Sequence, residues 1–186
     1  MGIAYLERRI AEQTETKVSH LIVETLRDAG VRHVFGISGG ASLHIIHAIA
    51  DTPGIKLICP QGECSGGYAA DACARLNGIG CALATSGPGA TNLVTAIAAS
   101  YYDSVPVVYL TGNQTTDRMN TYGTRQYGFQ ATPITEVVAP ICKGAFLISS
   151  ASTAIATLRK AIYLAQSGRK GPVLVDIPDD IQRAAA

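Results

Sequence analysis

The sequence predicts an α/β domain built on an open parallel sheet with helices on both faces. Two observations carry that expectation. Short apolar runs alternate along the chain with stretches whose apolar residues recur at three- and four-residue steps. Strands alternating with helices at this spacing pack as one parallel sheet covered on both sides. At 186 residues the chain also fits a single domain with a sizeable core, and no internal repeat or linker interrupts it.

The elements follow in order. Residues 1–16 carry mixed charge and read as a loosely attached leading helix, with the domain proper over 17–182 and a short tail at 183–186. From Lys17, the spacing of Val18, Leu21, Ile22, Leu26 and Ala29 marks an amphipathic helix, closed by Gly30 in the left-handed geometry that glycine tolerates. Residues 33–36 form a short strand, 37–40 a tight turn, and Ser42 stands where its hydroxyl can cap a helix containing Leu43, Ile45, Ile46 and Ile49. A second strand (55–59) runs into Pro60, and a helix of small residues from Glu63 ends at Gly78. A third strand, 81–84, breaks at Thr85-Ser86-Gly87-Pro88-Gly89 before a helix from Ala90 through Ala98. Residues 105–111 are a buried strand with Pro106 near its start. Residues 113–132 lack either period and are expected to be a long loop, a length usually tied to function. A faint helix (133–139), a strand (145–148), a clear helix (151–167) and a last strand (173–177) complete the series.

Composition excludes several classes of function. A net charge of +1 offers no field for nucleic acid or an anionic membrane. The 16% charged content is below the ~25% of an average domain, which suggests a surface partly covered by a subunit partner. Five cysteines without a Cys-x-x-Cys pair, and no apolar run of membrane-spanning length, point to reduced thiols in a cytoplasmic protein. The four histidines complete no metal motif. His44 and His47 lie one helical turn apart, but no Glu-x-x-His extension or nearby cysteine pair completes a site, so they are read as surface or core-edge residues and no metal residue is assigned.

Glu63 is the first candidate for chemistry. It follows Pro60 and Gly62 at a strand's C-terminal end, where ligands of open parallel sheets collect. It also opens a helix whose Gly66, Gly67, Ala69, Ala70, Ala72 and Ala74 permit close approach. The second candidate is the turn at Gly87-Pro88-Gly89. It sits where a dinucleotide fingerprint would, but Asn92 stands at the third glycine and no acidic residue lies near position 112.

Those residues, with Val34-Phe35-Gly36, Gly39-Gly40-Ala41-Ser42, the run 84–94, Asp103-Ser104-Val105-Pro106, Thr111-Gly112, Phe129-Gln130, Lys143 and the run 171–178, resemble the pyrimidine-binding (PYR) domain of thiamine diphosphate enzymes. The likeness is greatest to acetolactate synthase and spans about residues 17–182. It implies the thiamine diphosphate-binding fold of PYR type. It makes Glu63 the carboxylic acid that bonds N1′ of the cofactor's aminopyrimidine, held with little water, so that the exocyclic nitrogen can remove the thiazolium C2 proton. It further implies that Gly39, Gly40, Thr85, Pro88 and Asn92 line the pyrimidine site, and that Phe129, Gln130 and Lys143 face the substrate cleft. Departures cluster at that cleft: Ser38 replaces the usual proline, Gly62 and Cys64 flank the glutamate in place of His and Gln, Asn113 replaces Gln, and Ala131 replaces Glu.

The family holds the diphosphate through Mg²⁺ with a Gly-Asp-Gly segment and a downstream Asn-Asn on a PP domain, and neither occurs in these residues. The resemblance therefore implies the α (PYR) subunit of a two-component enzyme, with the Mg²⁺ and diphosphate ligands on a separate PP-domain subunit in an α2β2 or larger assembly. The implied reaction is decarboxylation of a 2-oxo acid such as pyruvate, with carboligation as in acetolactate synthase. The alternatives are a decarboxylase subunit of the sulfopyruvate or phosphonopyruvate type, a piece of a full-length synthase, and a non-catalytic PYR-fold module.

Overall fold

The computed structural model describes residues 16–119, 125–126 and 128–186. The expected leading helix, save Thr16, and part of the expected long loop lie outside them. Within them the chain runs α1 (Val18–Asp28), β1 (His33–Gly36), α2 (Leu43–Asp51), β2 (Lys56–Ile58), α3 (Glu63–Asn77), β3 (Gly80–Ala84), α4 (Pro88–Thr91), α5 (Val94–Tyr102), β4 (Val107–Asn113), α6 (Ile134–Val138), β5 (Gly144–Leu147), α7 (Ala151–Gln166), β6 (Val173–Pro178) and α8 (Asp179–Arg183). The six strands form one parallel sheet in the order β2-β1-β3-β4-β6-β5. The predicted fold class holds.

Side chains alternate across the strands and build two cores. Val34, Cys81, Leu83, Val108, Leu110, Val173 and Val175 meet α1, α2 and α7 on one face. Ala82, Ala84, Val107, Tyr109 and Leu174 meet α3, α5 and α6 on the other. The second core is the smaller-grained, and its alanines let α3 lie close to the sheet. α3 is also fixed by charge. Buried Asp71 accepts from Arg75 Nε (2.6 Å) and from Ser100 Oγ (2.7 Å), while Arg75 reaches Asp103 (2.6 Å) and Ser100 meets the Tyr109 hydroxyl (2.9 Å). One carboxylate thus joins α3, α5 and β4, with both its oxygens satisfied, which is what a buried charge requires.

The strand order reverses between β1 and β3, so the loops after these strands diverge and leave a crevice at their C-terminal ends. β2, β3 and β4 deliver Glu63, Thr85 and Asn113 to that same edge.

Three local expectations need correction. Ser42 does not cap α2; its hydroxyl donates back to the Gly39 carbonyl (3.1 Å), closing a 3₁₀ turn over Gly40–Ser42. The helix expected from Ala90 is two helices, Pro88–Thr91 and Val94–Tyr102, with Asn92 and Leu93 between them. The expected tail is bonded to the domain: Val18 N–H donates to Ala184 O (3.0 Å) and Ala186 N–H to Thr16 O (2.9 Å).

Candidate active site

Glu63 is the first residue of α3, behind Gly62 in extended conformation. Its Oε2 accepts a hydrogen bond from Asn92 Nδ2 at 3.0 Å. Its other oxygen, Oε1, faces Gly89, where an added Cβ would stand 3.4 Å away. Asn92, at the end of the short helix that the Gly-Pro-Gly turn opens, therefore orients the carboxyl, and buried Gly89, also against Thr85, lets the turn pack close beside the carboxyl's other oxygen. Glu63 is half-buried, so the enclosure expected of it is incomplete in this chain alone.

The turn keeps its shape because of Gly87, whose φ of +60° and ψ of −121° are open to glycine and costly for other residues. Gln130 packs directly on it: a Cβ at Gly87 would lie 2.7 Å from Gln130 Cβ. Gln130 itself has φ +57°, an uncommon backbone state for a residue with a side chain. The loop that carries it is tied to the end of β4 by Gln114 Nε2, which donates to Phe129 O at 2.6 Å. Gly39 lies against Thr85, joining the loops after β1 and β3.

Beside this corner opens a cleft of about 340 Å³, lined among others by Gly40, Thr85, Phe129, Gln130, Arg118 and Asp179. Four of the residues named from sequence thus share one wall system, and Glu63, Pro88 and Asn92 stand next to it through Gly89 and Thr85. Phe129 leaves 79% of its surface exposed. Lys143 does not join them. It precedes β5, at the opposite edge of the sheet, and its Nζ donates to the carbonyls of Leu164 and Ser167. There it caps the C-terminal end of α7, a favourable place for a cation. Within this chain Lys143 therefore stands apart from the other residues named from sequence.

Two charged cleft residues escaped the sequence reading. Arg118 sits in a 3₁₀ turn, Thr116–Arg118, inside the aperiodic stretch. Asp179 opens α8, with its Oδ1 3.5 Å from His44 Nε2 and its Oδ2 3.6 Å from Arg183 Nε. Burial lowers the His44 pKa more than Asp179 raises it. The signal for Asp179 was present: Pro-Asp-Asp after an apolar strand is a helix start.

Asn113, which also lines the cleft, contacts Asp176 on β6, 2% exposed. Thr111 Oγ1 donates to one of its oxygens (2.7 Å) and Asn113 Nδ2 to the other (2.6 Å). Burial raises the pKa of its carboxyl and the two hydrogen bonds offset part of that rise, leaving it pushed up to about 6. The raised value means that the folded chain favours the protonated acid. Its contribution to stability is full below pH ~4 and is lost as pH rises through about 6, on the order of 3 kcal/mol. Urea unfolding of Asp176→Asn from pH 4 to 7 should show a flatter profile than the parent; parallel profiles would contradict this assignment.

The model of the family described as "Thiamine pyrophosphate enzyme, N-terminal TPP binding domain" matches residues 16–136. The chain belongs to this family. It is 44% identical over 176 residues to acetolactate synthase 2, chloroplastic, of Nicotiana tabacum, covering 94% of this chain and 26% of that protein. Acetolactate synthase 2, chloroplastic, of Zea mays is 46% identical over 171 residues (91% and 26%), and the acetolactate synthase large subunit of Haemophilus influenzae 41% over 163 (87% and 28%). The chain thus spans about a quarter of the length of these relatives. The matched family residues include the Glu63 corner and the Gly-Pro-Gly turn, and the geometry fits the family's cofactor: Glu63 has an oxygen with no hydrogen-bond partner among the described residues, beside a glycine that lets the turn pack close. Among the described residues no helix is long and apolar enough to cross a membrane.

Proposed function

We propose that this chain is the pyrimidine-binding component of an acetolactate synthase-like enzyme that decarboxylates a 2-oxo acid such as pyruvate and joins the product to a second carbonyl compound. The observation that carries the reading is the Glu63 carboxyl, oriented by Asn92 through one oxygen and with no hydrogen-bond partner on the other among the described residues. Its relatives' names supply the reaction class.

Glu63 would hold the N1′ position of the cofactor's aminopyrimidine through Oε1, with Asn92 holding Oε2 so that the carboxyl keeps its plane. Pro88, Gly89 and Thr85 would offer the wall for the ring, with Gly39 and Gly40 across the crevice. When bound, thiamine diphosphate supplies the carbon nucleophile that attacks the 2-oxo acid and takes up the electrons released with CO₂. Gln130 and Phe129 face that reaction from the cleft, and Arg118 offers the positive charge that a substrate carboxylate needs. The Mg²⁺ and diphosphate ligands come from a PP-type domain, which we take to be a separate subunit; exposed Phe129 is available to contact it.

The test is reconstitution. The chain, a purified PP-domain subunit, thiamine diphosphate and Mg²⁺ are expected to release CO₂ from pyruvate, with acetolactate-type product formed. Failure to decarboxylate any 2-oxo acid would sink the proposal.

A further inference from the structure

We infer that His20, His47 and Asp51 form a site for a divalent transition metal, with Zn²⁺ as the fitting occupant, and that the ion clamps α1 to α2. None of the three lines the cleft. His20 comes from α1, while His47 and Asp51 stand four residues apart on α2 and so share one helix face. Both rings aim at the same carboxylate oxygen: His47 Nδ1 lies 3.2 Å and His20 Nε2 3.3 Å from Asp51 Oδ2. The three ligand atoms all fall within 4.8 Å of one another. Tetrahedral Zn²⁺ with bonds of ~2.0–2.1 Å spaces its ligand atoms about 3.3–3.4 Å apart. Two of the three spacings therefore already match, and the third is closed by small side-chain rotations.

Two further observations favour a cation here. Asp51 is the last residue of α2, and the last turn of that helix holds no basic residue. A carboxylate at that end opposes the helix dipole, and a bound dication would reverse the mismatch. The other nitrogen of His20, Nδ1, is enclosed and has no partner among the described residues, which leaves Nε2 as the ring's ligand atom. Two imidazoles and one carboxylate suit Zn²⁺ and its first-row neighbours better than Mg²⁺ or Ca²⁺. The exposed fourth position is left to water.

Zn²⁺ competition against a chromophoric chelator, on the whole 186-residue chain, reads the site directly. One Zn²⁺ per chain is expected, together with a rise in thermal midpoint on adding Zn²⁺. His47→Ala and Asp51→Asn, both at exposed positions, should each weaken binding at least ~10-fold, a minimum taken from the loss seen on removing mere supporting groups, and abolish the thermal shift. His33→Gln should change neither. The inference is overturned if no Zn²⁺ binds, if both variants bind as the parent does, or if binding disappears only in Cys59→Ser or Cys64→Ser.

Discussion

Replacing Glu63 by glutamine is expected to lower the turnover of the reconstituted enzyme by roughly 10²–10⁴-fold, the range for loss of a positioned acid–base group. Glutamine keeps the size of the side chain and can still accept from Asn92 Nδ2, now at 3.0 Å from Glu63 Oε2. The fold and the cofactor affinity should therefore change little. What is lost is the proton that a carboxyl can hold and release at the free oxygen beside Gly89. Steady-state kinetics at saturating thiamine diphosphate separates the two effects. A variant with unchanged kcat would show that Glu63 only helps to start α3, a role worth less than ~1 kcal/mol for an exposed first-turn carboxylate.

The second large effect is expected at Gly112, on β4. A Cβ added there would lie 1.8 Å from the carbonyl oxygen of Ala41 and 2.3 Å from its carbon. That carbonyl cannot easily move aside, because Gln182 Nε2 donates to it at 2.6 Å. Backbone meets backbone, so Gly112→Ala should cost about 3 kcal/mol, the upper part of the usual overpacking range. For a chain of this size that lowers the thermal midpoint by about 6–12 °C. The displaced turn, Gly40–Ser42, forms part of the cleft wall, so affinity for thiamine diphosphate should fall as well. Gly40→Ala is the matched control. A Cβ there meets nothing within 4 Å, and stability should stay within ~0.5 kcal/mol. Equal midpoints for the two variants would mean that the turn is not seated on β4 in this way.

The sheet was legible because both of its faces are buried. Runs such as those around Tyr109 and Leu174 are apolar without a break, and the glycines and prolines between them mark where each strand stops. Glu63 was legible for a related reason: strand, proline, glycine and carboxylate in succession place a charge at a sheet's C-terminal edge, and the structure starts α3 at that residue. Lys143 was named by resemblance alone; its position just before β5 puts it at the N-terminal edge of the sheet, apart from the other named residues of this chain. Arg118 and Asp179 were missed for different reasons. Arg118 lies in a stretch held by side chain–backbone contacts, such as Thr116 on Asp180, which leave no periodic trace. Asp179 begins a helix of five residues, too short to show a period. The convergence of His20 with His47 and Asp51 depends on how α1 crosses α2, which spacing along one helix cannot report.

The most direct test of the assigned role of Glu63 follows the C2 proton of thiamine diphosphate itself. The reconstituted complex, mixed with D₂O and quenched at intervals, gives the rate of hydrogen–deuterium exchange at C2 by NMR without any substrate. Exchange should be fast with the parent chain and at least ~10²-fold slower with Glu63→Gln, the cofactor being bound in both. Equal exchange rates would contradict the account, because the carboxyl would then have no part in activating the ring.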